Sequence, residues 1–128
     1  MIGIDDMAFY VPNIYLSIKE LAEARNIEYA KLNKGLGLTT MSLADVHEDA
    51  ASMAANAVLK LIKKNNLKPQ DIGRIYVGSE SATDGAKPIA SYVVSMLADY
   101  FKEEFGENSF IHTDVVDMTF ACIAGIDA

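Results

Sequence analysis

Residues 74–79 read Arg74-Ile75-Tyr76-Val77-Gly78-Ser79, a short, β-rich, apolar run that suits a buried strand of a parallel sheet. Downstream, Lys87 to Phe105 carries Ile89, Tyr92, Val93, Met96, Leu97, Tyr100 and Phe101 at three- and four-residue steps, the spacing of an amphipathic helix. Gly106 and Asn108 break that helix, and Phe110 to Val116 is again β-rich. Strand, helix and strand in succession predict a parallel α/β unit with a right-handed crossover. From Cys122 onward, Ile-Ala-Gly-Ile-Asp-Ala reads as the first turns of a further helix that stops at Ala128.

The same alternation runs upstream. Ile2 to Val11 is rich in Ile, Phe, Tyr and Val and ends at Pro12-Asn13, which predicts a strand closed by a turn. Ser17-Ile18-Lys19-Glu20 has capping-box spacing and predicts a helix to about Arg25. Glu28 to Leu36 forms a second short helix, closed by Gly35 and Gly37. Asp45-Val46-His47-Glu48 repeats the capping-box spacing. It precedes a long helix with Ala50, Met53, Ala54, Ala57, Val58, Leu61 and Ile62 on one face, ended by Asn65-Asn66 and Pro69. The small residues Ala50, Ala51, Ala54, Ala55 and Ala57 predict close packing against another element. The order is β-α-α-α-β-α-β and the start of an α-helix. We read residues 1–128 as one segment of an α/β domain with no second domain. The unfinished covering helix marks it as the first part of something longer.

Composition bounds the function. Hydrophobic residues at 51 % against 23 % charged describe a globular chain, neither disordered nor fibrous. Eighteen acidic against eleven basic residues give a net charge of −7. That is the wrong sign for a nucleic-acid binder that relies on counterion release. One Cys excludes an internal disulfide, and with only two scattered His it predicts no metal site. His47, expected in the first turn of a helix, and His112, expected inside a strand, are read as structural. No apolar run reaches the roughly 18 residues of a membrane span, and the N-terminus lacks the pattern of a signal peptide. A cytoplasmic setting is expected.

Chemistry in open α/β sheets collects at the carboxyl ends of strands. Two residues stand there: Glu80 in Gly78-Ser79-Glu80-Ser81-Ala82-Thr83-Asp84, and Cys122 in Thr119-Phe120-Ala121-Cys122-Ile123-Ala124-Gly125. A Cys in the first turn of a helix faces unpaired amides and the positive end of the dipole, which suits a nucleophilic thiolate. The competing reading of a lone Cys is a small buried hydrophobe, and that of Glu80 is a solvated loop carboxylate. Together, a thiolate and a carboxylate at neighbouring strand ends suit acyl transfer with proton abstraction.

Several stretches, in order along the chain, resemble hydroxymethylglutaryl-CoA synthases. They are Gly3-Ile4-Asp5 with Phe9-Tyr10-Val11-Pro12, Leu21-Ala22-Glu23-Ala24-Arg25, Gly35-Leu36-Gly37, Ser79-Glu80-Ser81-Ala82-Thr83-Asp84 and Ala121-Cys122. The resemblance implies a thiolase-like fold, of which this is the first part of the N-terminal half, with the Cys opening a buried helix. It implies that Cys122 takes an acetyl group from acetyl-CoA and that Glu80 then removes a methyl proton. The carbanion adds to acetoacetyl-CoA, and water releases the product, a step of the mevalonate route to isoprenoids. The Cys122 amide is the implied oxyanion donor, and Glu28 lies near a substrate contact. CoA thioesters are the implied substrates with no cofactor, and a homodimer the implied assembly. Two alternatives remain open: a β-branching polyketide-type synthase that condenses onto carrier-bound ketones, and a non-catalytic truncated or scaffold fragment. The family's catalytic His and Asn have no counterparts among these residues. The isolated 128-residue chain is therefore expected to be inactive: incubated with acetyl-CoA and acetoacetyl-CoA, it should release no free CoA above background in a thiol-release assay.

Overall fold

The computed structural model describes residues 3–128. The chain divides into two compact units, residues 11–48 and residues 3–10 with 49–128.

The first of these units holds β1 (Ile14–Ser17), α1 (Ile18–Ala24), α2 (Tyr29–Leu36) and β2 (Thr40–Leu43). The two strands pair antiparallel, from Ile14 opposite Leu43 to Ser17 opposite Thr40. Ser17 ends β1 and caps α1, its Oγ accepting the Glu20 N–H at 3.4 Å. The expected helix start is therefore found. Gly37 closes α2 in the left-handed region at φ 72°, where a Cβ would be strained. Gly35, expected to help close it, lies inside the helix.

The other unit holds α3 (Ala50–Asn65), a 3₁₀ turn (Pro69–Asp71), β3 (Arg74–Gly78), α4 (Ile89–Phe105), β4 (Asp114–Met118), a 3₁₀ turn (Ala121–Ile123) and α5 (Ala124–Asp127). β3 and β4 pair in parallel, Arg74 opposite Asp114 through to Gly78 opposite Met118. α4 connects them, as the strand–helix–strand reading requires, and packs on both strands and on α3. Ile89, Val93, Leu97 and Phe101, each one helical turn apart, are buried on one face of α4. Each such side chain contributes about 1.5–3 kcal/mol on leaving water. Ala51, Ala55 and Ile62 of α3 complete the core, so the small residues do bring that helix close. Among the described residues, no helix is long and apolar enough to cross a membrane.

Several expectations fail, each for a physical reason. Residues 3–11 do not form a strand; Ile2 lies outside the described residues. Ile4, Met7 and Phe9 are exposed at 83 %, 74 % and 78 %, and β propensity without a partner strand makes no ladder. The stretch is held instead by polar contacts with α3. Asp6 accepts from Lys64 Nζ at 2.6 Å and Asn65 Nδ2 at 2.7 Å, and the Phe9 carbonyl accepts from Lys60 Nζ at 3.1 Å. The Lys64 and Asn65 bonds hold the Asp6 carboxyl down at about 2. The three expected strands of one parallel sheet therefore reduce to the β3–β4 pair, with β1–β2 a separate antiparallel pair. The third strand begins at Asp114 rather than Phe110. Phe110 is buried in the preceding turn, its ring 6.4 Å from that of Phe101. His112 thus lies in that turn and not in a strand, and His47 lies in a turn before α3.

The expected cap of the long helix is displaced by one turn. Asp45 and Glu48 close a turn of their own, the Asp45 N–H reaching Glu48 Oε2 at 2.9 Å. Asp49 is the cap: its Oδ1 accepts the Ser52 N–H at 2.7 Å, and Ser52 Oγ accepts the Asp49 N–H at 2.8 Å. The Ser52 N–H first, then the Ser52 hydroxyl, hold the Asp49 carboxyl below the ordinary carboxylate range. Because the folded value is depressed, this contribution to stability is present above the ordinary carboxylate pKa and is lost as pH falls through the folded value. Asp49→Ala should cost about 1 kcal/mol at neutral pH. Urea denaturation should show the gap between wild type and variant narrowing in strong acid.

Candidate active site

The parallel register places the two sequence-identified residues on one edge. The pairing extends one residue beyond β3, the Ser79 N–H donating to the Met118 carbonyl at 3.1 Å. Glu80 follows directly. Its Oε1 accepts the N–H of Ala121 at 2.8 Å, the residue before Cys122. The structure therefore joins the Glu80 side chain to the backbone that carries Cys122. Ala121 has φ 60°, a left-handed conformation that costs an L residue with a Cβ about 1–2 kcal/mol. Residues held there against their preference cluster at functional sites.

Cys122 lies in the 3₁₀ turn and is exposed. The buried-hydrophobe reading does not hold. The implied buried helix differs as well: the Cys sits in a 3₁₀ turn closed by the Ala124 N–H on the Ala121 carbonyl, and only Ala124 of α5 is buried. That alanine seats on Gly78. A Cβ built on Gly78 would stand 2.4 Å from the Ala124 carbonyl oxygen, so β3 can hold the Cys122 turn against its end only with glycine there.

An open cleft of about 520 Å³ lies beside this edge, lined by Glu80, Asp84, Lys87, Asp117 and Thr119 among others. Cys122 is not on its wall. Asp84 shapes the mouth by accepting the Ala86 N–H at 2.8 Å. The Tyr92 hydroxyl donates to Asp84 at 3.4 Å, and Lys87 Nζ lies 4.1 Å from the centre of the Tyr92 ring. Desolvation first, then the Asp84 charge, pushes the Tyr92 hydroxyl above its ordinary value.

Two positions escaped the sequence reading. Asp117 accepts from the Ile89 and Ala90 N–H groups at the start of α4. Its signal was indirect: α4 starts after Pro88, which supplies no side-chain cap, so the acceptor had to come from elsewhere. Gly78 was read only as part of a strand, although a glycine inside a strand marks a close approach. Glu28, the third candidate, lies in the other unit at the N-cap of α2, exposed and making no side-chain cap bond. The structure gives it no contact that marks a site.

Comparison with known proteins bears on the whole chain. Residues 1–128 match the family model described as hydroxymethylglutaryl-coenzyme A synthase N terminal. The chain is 39 % identical over 125 residues to a hydroxymethylglutaryl-CoA synthase of Haloferax volcanii, covering 97 % of this chain and 27 % of that one. It is 34 % identical to the synthase of Archaeoglobus fulgidus over 98 % of this chain and 34 % of that one. A solved structure described as MvaS in complex with 3-hydroxy-3-methylglutaryl coenzyme A superposes with a TM-score of 0.82 at 34 % identity, over 98 % of this chain and 28 % of that one. The α/β architecture is thus that of these thiolase-like enzymes, and the chain spans about a quarter to a third of its relatives' length.

Gly78→Ala should lower stability by about 1–3 kcal/mol through overpacking. It should also change the rate of Cys122 alkylation by iodoacetamide, because backbone rather than a flexible side chain must move. Denaturation and mass-resolved labelling of the same sample check both.

Proposed function

The chain belongs to the hydroxymethylglutaryl-coenzyme A synthase family, and from that premise we propose that it supplies the nucleophile and the base of an acetyl-transferring condensation. The observation that carries the reading is the 2.8 Å bond from the Ala121 N–H to Glu80 Oε1, which ties the carboxylate to the residue preceding Cys122. An exposed Cys with a carboxylate bonded to the preceding residue suits a thioester acceptor with an adjacent base.

Cys122 Sγ attacks the carbonyl carbon of acetyl-CoA, the C–S bond to CoA breaks, and an acetyl thioester forms on Cys122. The oxyanion of the tetrahedral intermediate needs N–H donors, and the Cys122 N–H, at the start of a 3₁₀ turn, is one such group. Glu80 then takes a methyl proton from the acetyl group. The carbanion forms a C–C bond to the ketone carbon of acetoacetyl-CoA, whose oxygen collects a proton. Water cleaves the thioester and frees hydroxymethylglutaryl-CoA. Relatives solved with CoA and with 3-hydroxy-3-methylglutaryl coenzyme A support CoA thioesters as the substrates. Glu28 as a substrate contact, a homodimer and a cytoplasmic setting go with the reading as implications of the family.

The test uses the protein at its full length. Incubation with acetyl-CoA should add one acetyl group at Cys122, and Cys122→Ala should abolish the addition. Glu80→Gln keeps an acceptor for the Ala121 N–H and loses the base. It should still acetylate while condensation falls about 10²–10⁴-fold. Equal loss of both steps, or acetylation at another residue, overturns the assignment.

A further inference from the structure

We propose that Asp117 is a positioning residue for Cys122: by clamping the start of α4 it fixes the strand end from which the Cys122 turn departs. The inference rests on the acetyl-acceptor reading of Cys122 above.

α4 begins with a deficit. Pro88 precedes it, with no N–H and no side-chain acceptor. The next two residues, Ile89 and Ala90, are 0 % exposed, so water cannot satisfy their N–H groups, and a buried unpaired amide is costly. The Asp117 carboxylate takes both, Oδ2 from Ile89 at 2.5 Å and Oδ1 from Ala90 at 3.0 Å. A carboxylate also suits the positive end of the helix dipole. The bond therefore joins the most buried helix of the unit to β4 at the residue opposite Val77.

Four residues separate Asp117 from Cys122, and they are pinned at two further points. The Met118 carbonyl accepts the Ser79 N–H, and the Ala121 N–H is held by Glu80. The second of these anchors, Ala121, is the residue in a left-handed conformation, directly before the Cys. Such a residue persists only where its surroundings over-determine it. Glu80 restrains it from the β3 side, and Asp117 restrains it through β4. Without Asp117, the strand end is free to shift toward a relaxed Ala121, and Cys122 moves with it. A helix cap that served stability alone would not have to come from the strand that leads into the Cys122 turn.

The experiment is pre-steady-state acetylation of the full-length protein by acetyl-CoA, with each rate constant divided by the folded fraction from circular dichroism. Asp117→Ala should slow acetylation about 10–100-fold, the scale of a misplacement near 1 Å. Its half-saturating acetyl-CoA concentration should stay within twofold. Asp117→Asn retains one acceptor oxygen and should fall between wild type and Asp117→Ala. If Asp117→Ala does not fold, Asp117→Asn against wild type decides, with slowing of several-fold expected. Wild-type rate constants in the folded variants, a loss confined to half-saturation, or a loss explained by the folded fraction would overturn the proposal. A wild-type protein that never acetylates at Cys122 fails at the earlier reading, whereas a wild type that acetylates and an Asp117→Ala that matches it fail here alone.

Discussion

The rung at which Gly78 lies opposite Met118 is the constraint on which the site depends. Side chains alternate along a strand, so a slip of one residue would send every inward side chain of β3 outward. In the observed register, Ser79 still pairs with Met118, and the next residue, Glu80, emerges where its carboxylate reaches Ala121. The same rung needs a residue without a side chain on β3, because the backbone of Ala124 occupies that space. Register and glycine are thus two halves of one condition: the first sets which residue reaches across, and the second lets the Cys122 turn come close enough to be reached.

α4 makes that register hold. A two-stranded parallel pair has little stability alone, and the apolar row Ile89, Val93, Leu97 and Phe101 covers it. The helix could slide along the sheet if only hydrophobic contact held it, since that contact is non-directional. Asp117 supplies the directional element by fixing the first two N–H groups of the helix to a defined residue of β4. An apolar helix face and a directional polar contact therefore act on the same strand.

How much of this could be read in advance varied with the kind of signal. The pairing of β3 with β4 through α4 followed from periodicity, and so did the placement of Glu80 and Cys122 just past the ends of those strands. Residues 3–11 misled, because alternation of Ile, Phe and Val reports a preference for a pleated surface, and the ladder needs a partner that sequence does not name. The helix cap slipped from Asp45 to Asp49 because both have an acceptor three residues ahead. Only the entry of the chain decides between them. β1 and β2 are four-residue strands, too short to show a period. Asp117 and Gly78 were invisible for a different reason. Their partners, Ile89, Ala90 and Ala124, are distant in sequence, and neither residue belongs to a pattern.

On the proposed reading, the Glu80 carboxylate carries two demands that compete only if one oxygen has to meet both. An ionised carboxylate offers two oxygens and about four lone-pair sites. Oε1 is committed to the Ala121 N–H, which restricts rotation of the group. That restriction has a chemical use, since a base that must take a proton from carbon gains from being held in one orientation rather than searching many. On the proposed reading, Oε2 is the atom that takes the proton, and the bond at Oε1 keeps it aimed. As the proton arrives, the carboxylate loses its charge and the bond to Ala121 weakens, because bonds to charged groups are the stronger kind. On that reading, the contact that orders the resting site is weakest in the step that uses it.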